Sequence, residues 1–165
     1  LFVSGNFIIG FPTETWSEIR KTIDFAQEIN VDYAKLFIAI PLRNTEMYDL
    51  AERTNSIIKE TYDADSMWSV GGLIKSKEWT ANDLTILRAY EWDRINFYNP
   101  KKLKRIADRM AITVEELNQI RKRTLNNAIK AISSRDDSKE SVEKAADIAL
   151  VSKKDSVISK NLHFR

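Results

Sequence analysis

The 165-residue sequence contains no cysteine, one histidine, four glycines and three prolines. Without cysteine the chain has no disulfide, no zinc–thiolate site and no iron–sulfur ligand of its own. The lone His163 stands two positions before the last residue, and a single histidine excludes a histidine-based triad or a multi-histidine metal site within these residues. No apolar run approaches the roughly 20 residues that span a bilayer, and no basic-then-apolar signal segment opens the chain. The expectation is a soluble, cytoplasmic protein without a membrane partner. Hydrophobic residues at 43% and charged residues at 30% are ordinary for a folded domain. The net charge of +2 is unevenly spread: from Lys101 onward 16 Lys and Arg face 9 Asp and Glu, a net of +7, which leaves the first 100 residues at −5. Only the second half could attract a polyanion.

What is present begins with a strand. Phe7-Ile8-Ile9 is a continuous apolar run of the kind buried on both faces of a parallel sheet, and it stops at Gly10-Phe11-Pro12. Thr15-Trp16-Ser17-Glu18 is a capping box, and Ile19, Ile23, Ala26 and Ile29 then recur at helical spacing, with Asn30 as C-cap. A second unit repeats the order: Asp32-Tyr33 leads into the strand Ala34 to Ile40, Pro41 ends it, and Glu46 to about Arg53 forms a short helix. Strand–helix–strand–helix alternation implies parallel strands with right-handed crossovers and a ligand site at the C-terminal strand ends. The fold class is therefore α/β: the last two β/α units of a partial TIM-like barrel, followed by an α-helical C-terminal region. Two strands cannot close a domain, and the sequence opens at Leu1 almost directly into a strand. The chain reads as a C-terminal piece whose partner strands lie upstream, with exposed edges prone to aggregate or to borrow strands from another copy.

Residues 1–55 form the barrel end and 56–79 a connector that wraps over the sheet, with a turn at Gly71-Gly72. Residues 80–134 form the helical region. Thr80 caps a helix running to Phe97 with Leu84, Leu87, Tyr90 and Ile95 on one side, and Asn99-Pro100 opens the next. Thr113-Val114-Glu115-Glu116 is a second capping box, opening a helix that carries Leu117, Ile120, Leu125, Ala128 and Ile132. Residues 135–165 are a polar tail, expected to be disordered, with one weak amphipathic stretch from Val142 to Val151. Trp16, Trp68, Trp79 and Trp92 are scattered over different elements and read as core or cover residues.

Physically, Gly10 lets the chain turn and allows a ligand close to the backbone, Pro12 stiffens the loop, and the helix beginning near Trp16 points free N–H groups at the site. Asn6 to Thr15, followed one crossover later by Tyr33 to Pro41 and then Asn44-Thr45, resembles the last two β/α units of the radical S-adenosylmethionine superfamily, most closely its cobalamin-binding branch. There a strand ending in Gly-Phe-Pro-Gly-Glu-Thr precedes a capped helix, an Asp-Tyr-Ala strand, a proline and a Gly-Thr turn. The match covers about residues 5 to 53. It implies that Ile8 and Gly10 border the adenine of S-adenosylmethionine, that Phe11 belongs to the same cofactor-binding set, that the backbone of Ile40 and Pro41 contacts that base, and that Glu14, also in that set, fixes the loop. The family's reaction uses a Cys-x-x-x-Cys-x-x-Cys loop to hold a 4Fe-4S cluster that reductively cleaves the cofactor to a 5′-deoxyadenosyl radical. Those ligands would lie upstream, so the full-length parent would be the enzyme and this piece alone inactive; cobalamin would likewise belong to the full-length protein. The substrate is a small molecule that the sequence does not identify.

Two positions depart from the family pattern: Thr13 and Asn44 stand where glycine is usual. Asparagine tolerates positive φ, whereas a β-branched threonine demands a conventional backbone. Lys35 and Arg43 are candidate substrate contacts at the strand ends. An alternative comes from Arg105 to Ile120, whose spacing fits a helix-turn-helix nucleic-acid-binding or regulatory module followed by Arg121-Lys122-Arg123. Ala111 in the turn and Glu115-Glu116 at the start of the second helix oppose it, since phosphates repel those carboxylates.

Overall fold

The computed structural model describes residues 1–59 and 72–133. The elements are β1 (Ser4–Ile9), α1 (Trp16–Glu28), β2 (Tyr33–Ile38), α2 (Glu46–Arg53), α3 (Ala81–Phe97), α4 (Pro100–Met110) and α5 (Val114–Ser133). Among the described residues this is a mixed α/β fold of five helices and one two-stranded parallel sheet, with no closed barrel. The middle of the expected connector, Trp68 and the polar tail lie outside the described residues.

β1 and β2 pair in parallel with Phe7 opposite Leu36, Ile8 opposite Phe37 and Ile9 opposite Ile38. Successive side chains alternate between faces, so Ile9, Leu36 and Ala34 fall on one side and are buried. α1 covers that side with Ile19, Ile23 and Ala26, all fully buried. On the other side Ile8 remains 49% exposed and Phe37 47%. The continuous apolar run therefore does not mark a strand covered on both faces among the described residues.

α3 departs most from its sequence expectation. Rather than a one-sided helix it is buried nearly all round, with Leu84, Ile86, Leu87, Ala89, Ile95 and Phe97 in the core beside Asp83, Thr85, Glu91 and Asn96. Each of these four polar side chains has a partner, as burial requires, whereas the Nε of Arg88 on the same helix is buried without one among the described residues. Asp83 accepts the Thr80 amide at 2.8 Å, completing a capping box, and the Thr85 hydroxyl donates to the Ala81 carbonyl at 2.8 Å. Glu91 binds Arg20 of α1 at 2.7 Å and Arg94 at 2.6 Å. The Asn96 amide accepts the Ala34 N–H and donates to the Ala34 carbonyl, both at 2.8 Å, and donates to the Trp92 carbonyl at 2.9 Å. Thus α3 closes the outer edge of β2, contrary to the expectation that both sheet edges stay open. The edge of β1 has no neighbouring strand among the described residues.

The connector is more ordered at its ends than its lack of period implied. Ile57 and Ile74 form an antiparallel bridge, flanked by bonds from Ile58 N to Leu73 O and from Lys75 N to Ser56 O. Trp79 is fully buried and Trp16 and Trp92 pack against the core, as cover residues should. α4 and α5 meet in a smaller core of Phe97, Ile106, Ala107 and Leu117. Arg121 of α5 forks onto Asp93 of α3 at 2.6 and 2.9 Å and lies 5.1 Å from the Phe97 ring centre. Ala111 ends α4 in the left-handed region at φ 55.

Two stability outcomes follow from these contacts. Asn96→Leu leaves both Ala34 backbone groups without their side-chain partner and should lower unfolding stability by roughly 2–4 kcal/mol. Ala111→Gly relieves left-handed strain and should raise it by about 1 kcal/mol. Urea denaturation of the two variants measures both.

Candidate functional site

The site is built where the two parallel strands end. Gly10 turns the chain after β1 at φ 84, and a Cβ placed there would lie 2.4 Å from Leu84 Cδ1. The close approach that Gly10 permits is therefore by α3, not by a ligand: Gly10 is buried. Glu14 folds back so that its carboxylate accepts the amides of both Gly10 and Phe11, while its own amide donates to the Phe11 carbonyl at 2.9 Å. The Trp79 indole donates to the Glu14 carbonyl at 2.7 Å, tying the loop to the segment before α3.

The N-terminus of α1 was expected to present free N–H groups to the site. Instead the Trp16 amide donates to the Glu78 carboxylate at 2.8 Å, the Thr15 amide donates to Glu18 at 2.8 Å, and the Glu18 amide donates to the Thr15 hydroxyl at 3.3 Å. The chain's own carboxylates occupy the place an anion would take. The bond from the Thr15 amide, and then that from its hydroxyl, hold Glu18 below the ordinary glutamate pKa.

The six residues the resemblance nominates separate by exposure. Ile8 and Phe11 are exposed, Gly10 and Pro41 are buried, and Glu14 and Ile40 lie between. Ile8 shares its face with its register partner Phe37, and Asn6 with Lys35 one step back along the strands. Phe37 was missed in the sequence: alternation puts it on the face of β2 opposite Leu36, but its place beside Ile8 is set by the register between the strands. Together they form an apolar patch of aliphatic and aromatic surface, with the polar Asn6 and Lys35 adjacent. Asn44 takes φ 65, in the left-handed region that favours glycine, and Thr13 is not among the residues of positive φ. Thr45 then caps α2 by accepting the Tyr48 amide at 3.2 Å. Lys35 and Arg43 are not brought together: Lys35 is exposed on the sheet face, whereas Arg43 lines a cavity with Tyr48, Glu52 and Lys59.

Among the described residues no three His, Cys, Asp or Glu side chains are placed to hold a metal ion. What the arrangement can do is bind: it offers a rigid loop, an open strand face and no paired acid and base. No helix among the described residues is long and apolar enough to cross a membrane.

No protein-family model matches the chain, and no solved structure matches it. The chain is 35% identical over 106 residues to an uncharacterized methyltransferase of Pyrococcus horikoshii, an alignment covering 62% of this chain and 22% of that protein. The chain thus spans about a fifth of the length of the curated relative it matches.

Gly10→Ala adds a methyl group where Leu84 already sits and where φ disfavours it, and should lower stability by roughly 3 kcal/mol in denaturant titration. The Glu18 cap contributes its stabilisation fully above the unfolded glutamate pKa and loses it as pH falls through the lower folded value. An NMR titration should show the Thr15 amide shifting only below the ordinary glutamate range, and Glu18→Gln should abolish that step.

Proposed function

We propose that this chain supplies the closing part of an S-adenosylmethionine-binding α/β domain in a methyltransferase of the radical S-adenosylmethionine type. The observation that carries the reading is the exposed Ile8–Phe37 patch on two parallel strands beside their C-terminal ends. Adenine needs an apolar surface against its face and polar groups at its edge. Ile8 and Phe37 supply the first, and the backbone beyond Ile38 together with Asn6 supplies the second. The name of the Pyrococcus relative, a methyltransferase, supports the same cofactor.

S-Adenosylmethionine, when bound, brings either an activated methyl group or, on reduction, a route to radical chemistry. The chain's own part is to orient the cofactor and exclude water along the strand face, with Glu14 holding the Gly10–Phe11 turn rigid. A 4Fe-4S cluster does not fit the donors here, because the chain has no cysteine. The radical reading therefore requires cluster ligands elsewhere in a longer protein, to which cobalamin and the substrate also belong. The helix-turn-helix alternative draws little from the α4–α5 corner: Glu115 and Glu116 stand in the first turn of α5, and Arg121 is committed to Asp93.

Titration of the chain with S-adenosylmethionine, followed by amide NMR, should give saturable shifts at Ile8, Phe37 and Ile40. Ile8→Asp and Phe37→Asp, both at exposed positions, should weaken binding at least tenfold. Absence of saturable shifts removes the reading. In the longer protein carrying this segment, 5′-deoxyadenosine formed on reduction supports the radical type, whereas S-adenosylhomocysteine formed without iron supports polar methyl transfer.

A further inference from the structure

A second cavity, of about 410 Å³, lies between the β1–α1 loop, the end of α2 and the segment before α3. Its lining includes neither Ile8 nor Phe37, so it is separate from the strand-face patch and from the reading built on it. Two carboxylates and two ammonium groups line it, but they are not equivalent. Glu14 is committed to the amides of Gly10 and Phe11, and Glu78 to the amide of Trp16. Lys75 and Lys77 are exposed, and neither has an ion-pair partner among the described residues.

The hydroxyls add to the same imbalance. Ser76 Oγ accepts the amides of Glu78 at 3.0 Å and Trp79 at 3.2 Å, which leaves its proton to donate elsewhere. The Thr13 hydroxyl has no acceptor among the described residues. The two carboxylates and two ammonium groups cancel in formal charge, so the surplus is of uncommitted donors: the carboxylate oxygens face backbone amides, while the ammonium groups and these two hydroxyls face the cavity without acceptors among the described residues. The framework is fixed by bonds from Lys75 N to Ser56 O at 2.9 Å and from Ser76 N to Trp79 O at 2.9 Å, and by the Trp79 indole on the Glu14 carbonyl.

We propose that this cavity binds the phosphate group of a small phosphorylated molecule, with Lys75, Lys77, Ser76 and Thr13 as its donors. A phosphate dianion accepts several charge-assisted bonds at once, and lysine serves it as a point charge. A cavity of this size falls at the lower end of the range for small-molecule sites and admits a sugar-sized body beside the phosphate.

The test is an amide NMR titration of the full chain at constant ionic strength with ribose 5-phosphate, inorganic phosphate and ribose. Saturable shifts at Thr13, Ser76 and Lys77 are expected with the first two and not with ribose. The double variant Lys75→Gln, Lys77→Gln should weaken binding at least tenfold. Lys101→Gln with Lys104→Gln, which removes equal charge from α4, should leave it unchanged. Absent shifts, equal loss in both double variants, or ribose binding as tightly as its phosphate would each overturn the proposal. Shifts at Ile8 and Phe37 on adding S-adenosylmethionine should persist in the Lys75→Gln, Lys77→Gln protein, so that the two sites are judged separately.

Discussion

A strand at the edge of a sheet must give its outward N–H and C=O groups to some partner, and β2 gives those of Ala34 to the side chain of Asn96. One amide thus does what a neighbouring strand would do. It can do so only because α3 lies along that edge, and α3 lies there because nearly all its faces are apolar or internally paired. The helix is held on its other side by Glu91, which bridges to Arg20 on α1. Glu91 is fully buried, so losing its cations would leave an uncompensated charge costing about 3–5 kcal/mol. Sheet, α1 and α3 are therefore locked by polar contacts whose partners cannot be removed singly without penalty. The order in which elements cover the sheet follows: one face and one edge are closed, and one face is left open.

The loop after β1 obeys a similar constraint. Tight turns and helix starts leave amides without intrahelical partners. This chain answers each with a carboxylate from nearby: Glu14 for Gly10 and Phe11, Glu18 for Thr15, and Glu78 for Trp16. The loop is rigid as a result, and the helix dipole of α1 is already compensated. An anion near that helix end would have to meet side chains instead, and Lys75 and Lys77 form no ion pair with these carboxylates.

Much of the first unit was legible because its signals are local. The capping box at Thr15 and Glu18, the spacing of Ile19, Ile23 and Ala26, and the need for positive φ at Asn44 depend on residues close in sequence, and each is present in the structure. α3 runs from its cap at Thr80 to Phe97 as the sequence indicates but is not one-sided, because Glu91 and Asn96 look like solvent residues until their partners, 71 and 62 positions away, are known. The open donors expected at α1 failed for the same reason: Glu78 lies 62 positions from the amide it caps. The Ile8–Phe37 patch required strand register, which is a pairing property and not a property of either strand alone.

These constraints together divide the surface into parts with different chemistry. α3 is the common wall: Leu84 fills the space beside Gly10, Glu91 anchors α1, and Asn96 ends the sheet at β2. The edge of β1 has no neighbouring strand among the described residues, whereas Ala34 on the edge of β2 is already paired by Asn96, and the Ile8 and Phe37 face is exposed. The hydroxyl- and lysine-lined cavity sits instead against the segment that leads into α3. An apolar ring system and a polar anion would thus meet different walls of one rigid loop. Glu14 stands between them, with its carboxylate on the turn at Gly10 and its carbonyl on Trp79, so the end of β1 and the wall of the cavity are held by one residue.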